Sequence, residues 1–489
     1  MELLDVYGGN ELSSNCILRY AYTKEFFETF SSLQVLDICL PYTLMLKFQN
    51  SIKPIVNSRI HDKGYVGELK EKHKFNSIKD IQDALAINTQ CVKDLRADPG
   101  RDGILISANY IAFALDKLSS SRVIVNVVNK RSINQKVLPK NFSTFFYKKE
   151  LRETKVSANL IGDLLQRAEE LIKKQAGHPV FSRPCFKAWL LKHLPGAIRT
   201  VILLDRLICQ QPIKVIVSYT EIANPEATLS LLALKYNLPF LNVQHCLTKD
   251  RTYLPASATY HCLWGKHYKD WLLERGIPGG KIMPIGSLRF YYSQKKSYLD
   301  KIYFTRQLNI DNKNIIITYT SQPFHGRVNL RIMQWINDAV RSLPITVMIR
   351  KHPRDKTNYR PFLNTQIKLT PRTLKLYDIL YNSDFVMTVS SNTAIEASLL
   401  GKGIIVLQPK IPYHYVLHHD EHNAHLASAQ AGPVIYNSQQ LKIRLRKIVS
   451  NRAYRNRLYR QSRLFLQNTL QDNNRRAPEL TEALIRQLL

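Results

Sequence analysis

The fold is decided by two stretches of the sequence, VMIRKHP at residues 347–353 and FVMTVSSNTA at residues 385–394. Each begins as a short apolar, β-branched run, which is typical of a buried strand. The first run ends in basic side chains and a proline, and the second ends in small hydroxyl residues that also begin a helix. Positive charge and helix N–H groups at one edge of a sheet favour phosphate oxygens. The two stretches therefore predict a site for a nucleotide phosphate.

Strands and helices alternate outward from these stretches. Strands are predicted at residues 104–107, 123–128, 215–219, 240–243, 260–264, 281–285, 315–319, 346–349, 385–389, 404–407 and 434–436. Helices are predicted at residues 158–174, 185–209 with a break at Pro195, 224–236, 328–341, 393–400 and from 438. This alternation predicts an α/β protein with parallel sheets covered by helices on both faces. The expected architecture is two Rossmann-like, doubly wound domains that face each other across a cleft, followed by a C-terminal helix.

A chain of 489 residues is longer than a domain with a single hydrophobic core usually is, so two or three domains are expected. Residues 1–100 form an N-terminal portion that the pattern does not resolve. Residues 101–292 are predicted as one Rossmann-like domain, and residues 293–489 as a second Rossmann-like domain that ends in a basic helix. The boundary is placed at the lysine-rich connector 293–313.

The chain is strongly basic, with 70 Lys and Arg against 38 Asp and Glu, a net charge of +32. Such a charge favours an anionic partner, whether nucleic acid, an acidic membrane surface or a nucleotide. Residues 442–463 contain nine basic residues, no acidic residue and apolar residues at helical spacing. This segment is predicted as the solvated face of a helix, with peripheral contact to an anionic membrane as the alternative.

Seven cysteines are scattered without CxxC spacing, which predicts neither a zinc site nor a disulfide framework and indicates a reducing compartment. Residues 1–14 include acidic side chains and lack a long apolar core, so a signal peptide is not expected. No apolar run approaches membrane-spanning length. We expect a cytoplasmic protein, soluble or peripheral on the inner face of the cell membrane.

The two stretches supply most of the candidate donor-binding residues. Arg350, Lys351 and His352 follow the first strand, where they could neutralise a phosphate that gains charge as its glycosidic bond breaks. The second strand is followed by hydroxyl and amide residues that could cap a helix and bind phosphate, with an acidic residue one turn into that helix. These candidates are Ser390, Ser391, Asn392, Thr393 and Glu396.

The sequences IRKHPRD (349–355), DFVMTVSSNTAIEASLLGKGIIVL (384–407) and IITYTSQP (316–323) resemble bacterial capsule and surface-polysaccharide glycosyltransferases of GT-B fold. Polysialyltransferase-, sialyltransferase- and Kdo-transferase-like enzymes belong to that group, and the resemblance covers residues 215–436. It implies that residues 293–489 form the donor domain, which binds a CMP-sugar, and that residues 101–292 form the acceptor domain, which binds a glycan or lipid-linked acceptor. It also implies that His352, Ser390 and Ser391 contact the donor phosphate, that Glu396 contacts the nucleotide and that Ser321 lines the cleft.

The acidic motif that supplies the general base in several CMP-sialic acid enzymes is not evident in this sequence. The base is therefore sought in the first domain, where two residues follow predicted strands. Glu221 comes after the strand at 215–219, and His245 after the strand at 240–243. Either could take a proton from an acceptor hydroxyl. Both alternatives stay open. Each residue could instead have a structural role, Glu221 as a carboxylate at the start of a helix and His245 as a histidine that bonds neighbouring loops.

A cluster of histidines and carboxylates at residues 414–425 does not follow a metal-ligand pattern. No Asp-x-Asp element marks a divalent ion at the phosphate either. We therefore predict a metal-independent enzyme that uses no cofactor beyond the nucleotide sugar that is its substrate. Inversion of the anomeric carbon is expected for a direct displacement. The members of the cluster are His414, His418, His419, Asp420, Glu421, His422 and His425.

Three other functions are compatible with parts of this sequence. A CDP-glycerol or CDP-ribitol polyol-phosphate transferase and a UDP-sugar 2-epimerase would use the same fold and the same strand ends. A basic nucleic-acid-binding protein would explain the charge. No zinc finger, RRM-like aromatic signature or recognisable helix-turn-helix supports that last function.

Overall fold

The computed structural model describes residues 12–87, 89–128, 138–248, 250–294, 297–324, 326–409 and 425–489. The chain divides into two compact units. The N-terminal unit comprises Asn10–Leu263, Lys269–Arg289 and Arg476–Leu489, so the closing helix of the chain belongs to it. The C-terminal unit includes Trp264–Tyr268 and Phe290–Arg475. Among the described residues, none of the helices combines the length and apolarity needed to cross a bilayer.

The N-terminal unit is built on a seven-stranded parallel sheet with the order β5-β4-β3-β6-β7-β8-β9. A separate antiparallel pair, β1-β2, precedes it. The strands of this unit are β1 (Gln34–Val35), β2 (Ile38–Cys39), β3 (Gly103–Ser107), β4 (Val123–Asn126), β5 (Phe142–Phe145), β6 (Ile213–Ser218), β7 (Phe240–Val243), β8 (Tyr260–Leu263) and β9 (Ile282–Pro284).

The helices that cover this sheet come before, between and after its strands. They are α1 (Ser14–Thr29), α2 (Leu40–Ser51), α3 (Lys53–Arg59), α4 (Lys63–His73), α5 (Ile78–Ala84), α6 (Ile111–Lys117), α7 (Tyr147–Glu153), α8 (Ala158–Lys173), α9 (Pro184–Gln210), α10 (Glu226–Lys235) and α11 (Asp250–Tyr253). Two more, α12 (Lys266–Leu273) and α13 (Leu288–Ser293), lie where the chain divides between the units.

Helix α9 is continuous, so the predicted break at Pro195 is wrong. A proline inside a helix removes one hydrogen bond and leaves a carbonyl without its usual partner. Pro195 lies on a partly exposed side of α9, where water can satisfy that carbonyl, while Leu194 and Ala197 beside it are buried. The free energy gained by burying the apolar side chains of α9 therefore outweighs the cost of the missing hydrogen bond.

Residues 14–84 form a helical layer on the N-terminal unit, which the sequence pattern did not resolve. Aromatic rings from three helices meet there: Phe26 of α1 stacks on Phe48 of α2 with ring centroids 4.3 Å apart, and Trp189 of α9 lies 6.0 Å from Phe26. Such aromatic packing contributes beyond the buried area alone. It fixes the helical layer to α9.

The C-terminal unit has a six-stranded parallel sheet with the order β12-β11-β10-β13-β14-β15. Its strands are β10 (Ile315–Thr320), β11 (Ile345–Arg350), β12 (Ile367–Leu369), β13 (Phe385–Thr388), β14 (Gly403–Leu407) and β15 (Val434–Ile435). Its helices are α14 (Lys301–Gln307), α15 (Gly326–Val340), α16 (Leu376–Tyr381), α17 (Thr393–Leu399), α18 (His425–Ser428), α19 (Ser438–Ser450) and α20 (Arg452–Thr469); the last helix of the chain, α21 (Ala477–Leu488), is part of the N-terminal unit.

The predicted α/β class with two doubly wound sheets is confirmed. In both sheets the first six strands follow the spatial order 3-2-1-4-5-6 in their own chain sequence. The strand order reverses between β3 and β6 in the N-terminal unit, and between β10 and β13 in the C-terminal unit. Ligands of open parallel sheets bind at the carboxyl ends of the strands at such a switch point. Each unit thus has one edge where a ligand is expected.

Candidate functional site

The switch point of the C-terminal sheet lies at the carboxyl ends of β10 and β13. Both strands are buried, and the chain leaves each through small polar residues. Thr320, the last residue of β10, pairs its hydroxyl with that of Thr393 at the start of α17, at 2.8 Å. The end of β10 and the start of the helix that follows β13 therefore meet at one edge of the sheet.

Gln322 joins the loop that follows β10 to the loop that follows β13. Its side-chain amide donates to the Ser390 carbonyl at 2.8 Å, and its side-chain oxygen accepts from the Ser390 N–H at 2.7 Å. This two-bond bridge satisfies both backbone groups of Ser390. The side chain of Ser390 is left to face other partners.

Ser321, the neighbour of Gln322, connects the same edge to the loop after β11. Its hydroxyl oxygen accepts from the His352 backbone N–H at 3.0 Å and donates to Asp355 Oδ2 at 2.6 Å. Ser321 is buried, and its hydroxyl is engaged in both directions. Its observed role is to position the loop that carries His352, rather than to present a free hydroxyl to a ligand.

Asp355 holds that loop in place by accepting further hydrogen bonds. Oδ2 also accepts from the Tyr359 hydroxyl at 2.6 Å, while Oδ1 accepts from the Thr357 N–H at 2.8 Å and from Asn329 Nδ2 at 3.2 Å. A buried carboxylate that accepts several hydrogen bonds is well compensated and rigid. The loop position of His352 is consequently set by a carboxylate 34 residues along the chain from Ser321.

The protonation of His352 follows from its own loop. Nδ1 accepts from the Arg354 N–H at 3.1 Å, so the proton of the neutral ring is on Nε2. Burial and the nearby Arg354 guanidinium lower the pKa of His352, against the opposing effect of Asp355. His352 is thus a neutral imidazole at pH 7 with Nε2–H as a donor, which no hydrogen bond engages within the described residues.

Ser390 is the second group with unused hydrogen-bonding capacity at this edge. The residue is only 6% exposed, and its Oγ has no hydrogen-bond partner among the described residues. Buried hydroxyls are normally bonded, because an unsatisfied polar group costs free energy. Ser390 Oγ is therefore poised to bind a ligand oxygen at the switch point.

The side chains of Arg350 and Lys351, the other basic candidates of this edge, bond to backbone carbonyls of the protein. Arg350 donates to the Pro371 carbonyl at 3.3 Å, and Lys351 donates to the Thr357 carbonyl at 2.7 Å. Both side chains are half-buried. In these positions they contribute positive charge to the edge, while their donors are directed at backbone carbonyls.

Helix α17 carries the remaining donor-binding candidates but has only seven residues. Ser391 Oγ accepts from the Thr393 N–H at 3.3 Å, and Asn392 at the N-cap position makes no side-chain cap bond. Glu396 is buried, and Tyr377 donates to its Oε1 at 3.4 Å. Glu396 is therefore covered by other residues of the unit, and its predicted contact with the nucleotide stays a prediction.

In the N-terminal unit, Glu221 has the surroundings of a structural anchor. Oε1 accepts from Asn242 Nδ2 at 2.9 Å, and Oε2 accepts from the N–H groups of Ser257 and Ala258, both at 2.6 Å, and from Ser257 Oγ at 3.0 Å. The carboxylate is buried. A group so fully bonded stabilises the loops after β6 and before β8 and has little capacity left for an acceptor proton.

His245 has different surroundings. It follows β7, and its ring is flanked edge-on by Tyr110 and Tyr219, with centroids 6.3 and 5.9 Å away. Nδ1 is buried without a hydrogen-bond partner among the described residues. Burial, reinforced by Arg289, lowers the pKa of His245 to about 4, so the ring is neutral at pH 7. Of the two base candidates, His245 has a ring nitrogen without a hydrogen-bond partner among the described residues, whereas the carboxylate oxygens of Glu221 already accept hydrogen bonds.

Three residues of these edges were not among the predicted site residues. Gln322 and Asp355 lie inside the stretches that carry the family resemblance, but only their neighbours were selected. Glu226 begins α10 and is 1% exposed. Its place directly after Pro225 suggested an ordinary helix start, and no local signal marked it as buried.

Among the described residues, no group of three or more His, Cys, Asp or Glu side chains could hold a metal ion. The prediction that the cluster at residues 414–425 does not bind metal concerns residues that, except for His425 at the start of α18, lie outside the described part of the chain. That prediction stays untested.

No family model matches the chain, and no curated protein matches it. Among solved structures it is similar to a putative UDP-N-acetylglucosamine 2-epimerase from Listeria monocytogenes, with 14% identity, a TM-score of 0.49 and coverage of 79% of this chain and 96% of the other. It is also similar to a glycosyltransferase from Rickettsia africae ESF-5, with 12% identity, a TM-score of 0.48 and coverage of 79% and 98%. A variant of the wall teichoic acid polymerase TagF has 9% identity, a TM-score of 0.43 and coverage of 90% and 97%. Similarity at this level does not define the reaction.

Proposed function

We propose that this protein is a glycosyltransferase that moves a sugar from a nucleotide-activated donor to a hydroxyl of a surface-polysaccharide or glycolipid acceptor. A CMP-sugar is the favoured donor, as the resemblance of the two stretches implies. The observation that carries the proposal is the pair of unused polar groups, His352 Nε2–H and Ser390 Oγ, at the switch point of the C-terminal sheet. Both suit a phosphate oxygen.

In the proposed reaction, an acceptor oxygen attacks the anomeric carbon of the donor sugar as the bond from that carbon to the phosphate oxygen breaks. The nucleotide leaves with the electron pair, and its phosphate gains negative charge. His352 and Ser390 donate hydrogen bonds to that phosphate, and the positive charge of Arg350 and Lys351 stabilises it without a metal ion. Direct displacement inverts the anomeric configuration.

The acceptor hydroxyl loses its proton in the same step, and we assign its removal to the N-terminal unit. His245 is the better candidate because its Nδ1 has no partner among the described residues. The carboxylate oxygens of Glu221 already accept four hydrogen bonds. A general base needs an available lone pair before its pKa matters.

Nucleotide binding should depend on the Ser390 hydroxyl. Ser390→Ala is expected to raise the dissociation constant of the preferred nucleotide roughly tenfold or more, the usual effect of losing a hydrogen bond to a charged group. The fold should be unchanged, because this hydroxyl has no partner among the described residues. Thermal shift and calorimetric titration with CMP, CDP, UDP and GDP measure the effect, since selective binding raises apparent stability by mass action.

Ser450→Ala, an exposed serine at the end of α19, is the matched control and should bind like the wild type. Equal nucleotide affinity in wild type and Ser390→Ala would remove Ser390 from the site. Incubation with CMP-sugars, CDP-glycerol and UDP-N-acetylglucosamine then separates the reactions. Acceptor-dependent CMP release from a CMP-sugar supports the proposal; CMP release from CDP-glycerol, or epimerisation without acceptor, favours the alternatives.

We further propose that α19 and α20 place the protein on the cytoplasmic face of an anionic membrane. The outer face of α20 exposes Arg452, Arg457, Arg460 and Arg463, and no acidic residue occurs in either helix. Two large apolar side chains are exposed among the basic ones, Ile443 at 42% and Leu464 at 56%. Cations interleaved with exposed apolar groups suit a surface of anionic lipid.

Binding to vesicles tests the membrane contact. Replacing Arg457, Arg460 and Arg463 together with glutamine should weaken sedimentation with vesicles of phosphatidylglycerol and phosphatidylcholine about 100-fold, at about 1 kcal/mol for each basic residue. The control replaces Lys93, Lys173 and Lys174, which are equally exposed in the N-terminal unit. Equal loss in the control, or stronger binding to duplex DNA than to vesicles, would count against a membrane surface.

A further inference from the structure

The three strands at the switch point of the N-terminal sheet each end in a small polar residue. These last residues are Ser107 of β3, Asn126 of β4 and Ser218 of β6, which are 6%, 4% and 2% exposed. Asn126 pairs with Ser107 in the parallel register, and Ser107 and Ser218 come one residue after the paired Ile106 and Val217. Residues at one level of neighbouring parallel strands point to the same face of the sheet, about 4.8 Å apart from strand to strand. The three side chains therefore form a polar row across the end of the sheet.

The row continues into β7 and β8, where its polar residues have a partner inside the protein. Asn242 pairs with Ser218 on one side and with His261 on the other. The side-chain amide of Asn242 donates to Glu221 Oε1 at 2.9 Å, and His261 Nδ1 lies 3.5 Å from the same oxygen. Glu221 thus gives this part of the row a structural role.

The part of the row at the switch point lacks such a partner. Asn126 Oδ1 and Ser218 Oγ are buried and have no hydrogen-bond partner among the described residues. Ser107 Oγ accepts a long hydrogen bond, 3.4 Å, from the Asn109 N–H. An unsatisfied buried polar atom costs free energy that an apolar side chain at the same position would not. The two atoms therefore indicate a ligand at the point where open parallel sheets bind one.

The chemistry of the row indicates which ligand it binds. None of the three side chains at the switch point carries a charge, whereas Arg350 and Lys351 follow β11 in the C-terminal sheet. An amide oxygen only accepts hydrogen bonds, so Asn126 Oδ1 repels a phosphate oxygen and attracts a hydroxyl group. A serine hydroxyl both donates and accepts. The row therefore suits the hydroxyl groups of an uncharged sugar ring.

We propose that Asn126 and Ser218 bind hydroxyl groups of the acceptor, so that the enzyme takes an uncharged sugar as acceptor and not a phosphorylated polyol. This inference rests on the proposed function. Asn126 Oδ1 accepts a hydrogen bond from one sugar hydroxyl, and Ser218 Oγ forms a hydrogen bond with another. The candidate base lies at the same end of the sheet, because Tyr219 follows Ser218 and its ring centroid is 5.9 Å from that of His245.

Ser218→Ala and Asn126→Leu each remove the polar atom with little change in the shape of the side chain. Tm should not fall in either variant, because the lost atoms have no partner among the described residues. Ligand-observed NMR titrations of the full chain use N-acetylglucosamine, galactose, glucose and mannose, with sn-glycerol 3-phosphate as the phosphorylated probe. We expect the wild type to bind at least one of the four sugars, and each variant to bind it about five- to tenfold more weakly. Binding of sn-glycerol 3-phosphate should be the same in all three proteins.

The matched controls are Ser120→Ala and Asn159→Ala, two exposed positions in the same unit, which should bind like the wild type. A second pair of titrations separates the acceptor sugar from the donor sugar, using CMP with CMP-N-acetylneuraminate and UDP with UDP-N-acetylglucosamine. Both variants should bind all four nucleotides like the wild type. Weaker binding of a nucleotide sugar, with unchanged binding of its free nucleotide, would assign the row to the donor sugar and contradict the proposal.

Three further results would overturn the inference. They are absence of binding of all four sugars to the wild type, equal sugar binding by the wild type and both variants, and a lower Tm in both variants, which would show that the two atoms serve the fold. In each case nucleotide binding that depends on Ser390 would leave the proposed function intact. A wild-type protein that binds none of the nucleotides would instead contradict the proposed function itself.

Discussion

His352→Ala should lower kcat/KM for transfer by about 100- to 1,000-fold, the usual effect of removing one preorganised donor to a developing negative charge. The variant keeps the hydrogen bond from the His352 backbone N–H to Ser321 and loses only the bond from the Arg354 N–H to the ring, so the loop should retain its position. Initial rates of nucleotide release with saturating acceptor measure the loss. Circular dichroism and Tm establish that the unit is folded.

The neutral state of the imidazole gives this prediction a second test. Because burial and Arg354 lower the pKa of His352, its Nε2–H is present without a positive charge across pH 7–8. The rate should not decline as pH rises through 6.5, as it would if the imidazolium form were required. His352→Gln retains an N–H donor and should recover part of the rate. Lys356→Ala, an exposed neighbour in the same loop, is the control and should behave like the wild type.

Asp355→Ala should destabilise the C-terminal unit by about 3 kcal/mol, because it leaves several buried donors without their acceptor. The donors are the hydroxyls of Ser321 and Tyr359, the amide of Asn329 and the N–H of Thr357. The His352 loop should loosen together with them. Hydrogen exchange in the peptides that contain β10 and β11 measures the change locally, which is needed because two units need not unfold in one transition.

The exposed Asp338 of α15 provides the matched aspartate control, and Asp338→Ala should leave exchange in β10 and β11 unchanged. Asp355→Ala should also reduce nucleotide affinity, although Asp355 itself is buried and is not expected to contact the ligand. Unaltered exchange in these strands would show that the hydrogen bonds to Asp355 contribute little. Unaltered nucleotide binding would show that the His352 loop does not depend on them.

The central strands were predictable because burial on both faces requires continuous apolar, β-branched runs. The prediction of β7 at Phe240–Val243 is correct to the residue. The edge strands β5 and β12 were overlooked, since they are short, partly exposed and mix polar with apolar residues. Helix α14 was overlooked for a similar reason, as it lies within the lysine-rich connector.

The sequence also predicted which strand ends meet, but not which polar atoms remain unused there. Ser321 and Ser390 are both serines that follow a buried strand. Asp355 engages the hydroxyl of Ser321, whereas Gln322 satisfies only the backbone of Ser390 and leaves its hydroxyl unpartnered among the described residues. These partners are 34 and 68 residues away along the chain, and no local pattern specifies them. The burial of Glu226 could not be predicted either, because it depends on elements that are distant in sequence.

The central claim is that the carboxyl edge of the C-terminal sheet binds the phosphate of a nucleotide. A crystal structure of the protein soaked with the nucleotide that stabilises it most tests this claim directly. We expect a phosphate oxygen within hydrogen-bonding distance of both His352 Nε2 and Ser390 Oγ. A nucleotide bound elsewhere at full occupancy, with these two groups still unoccupied, would contradict the account.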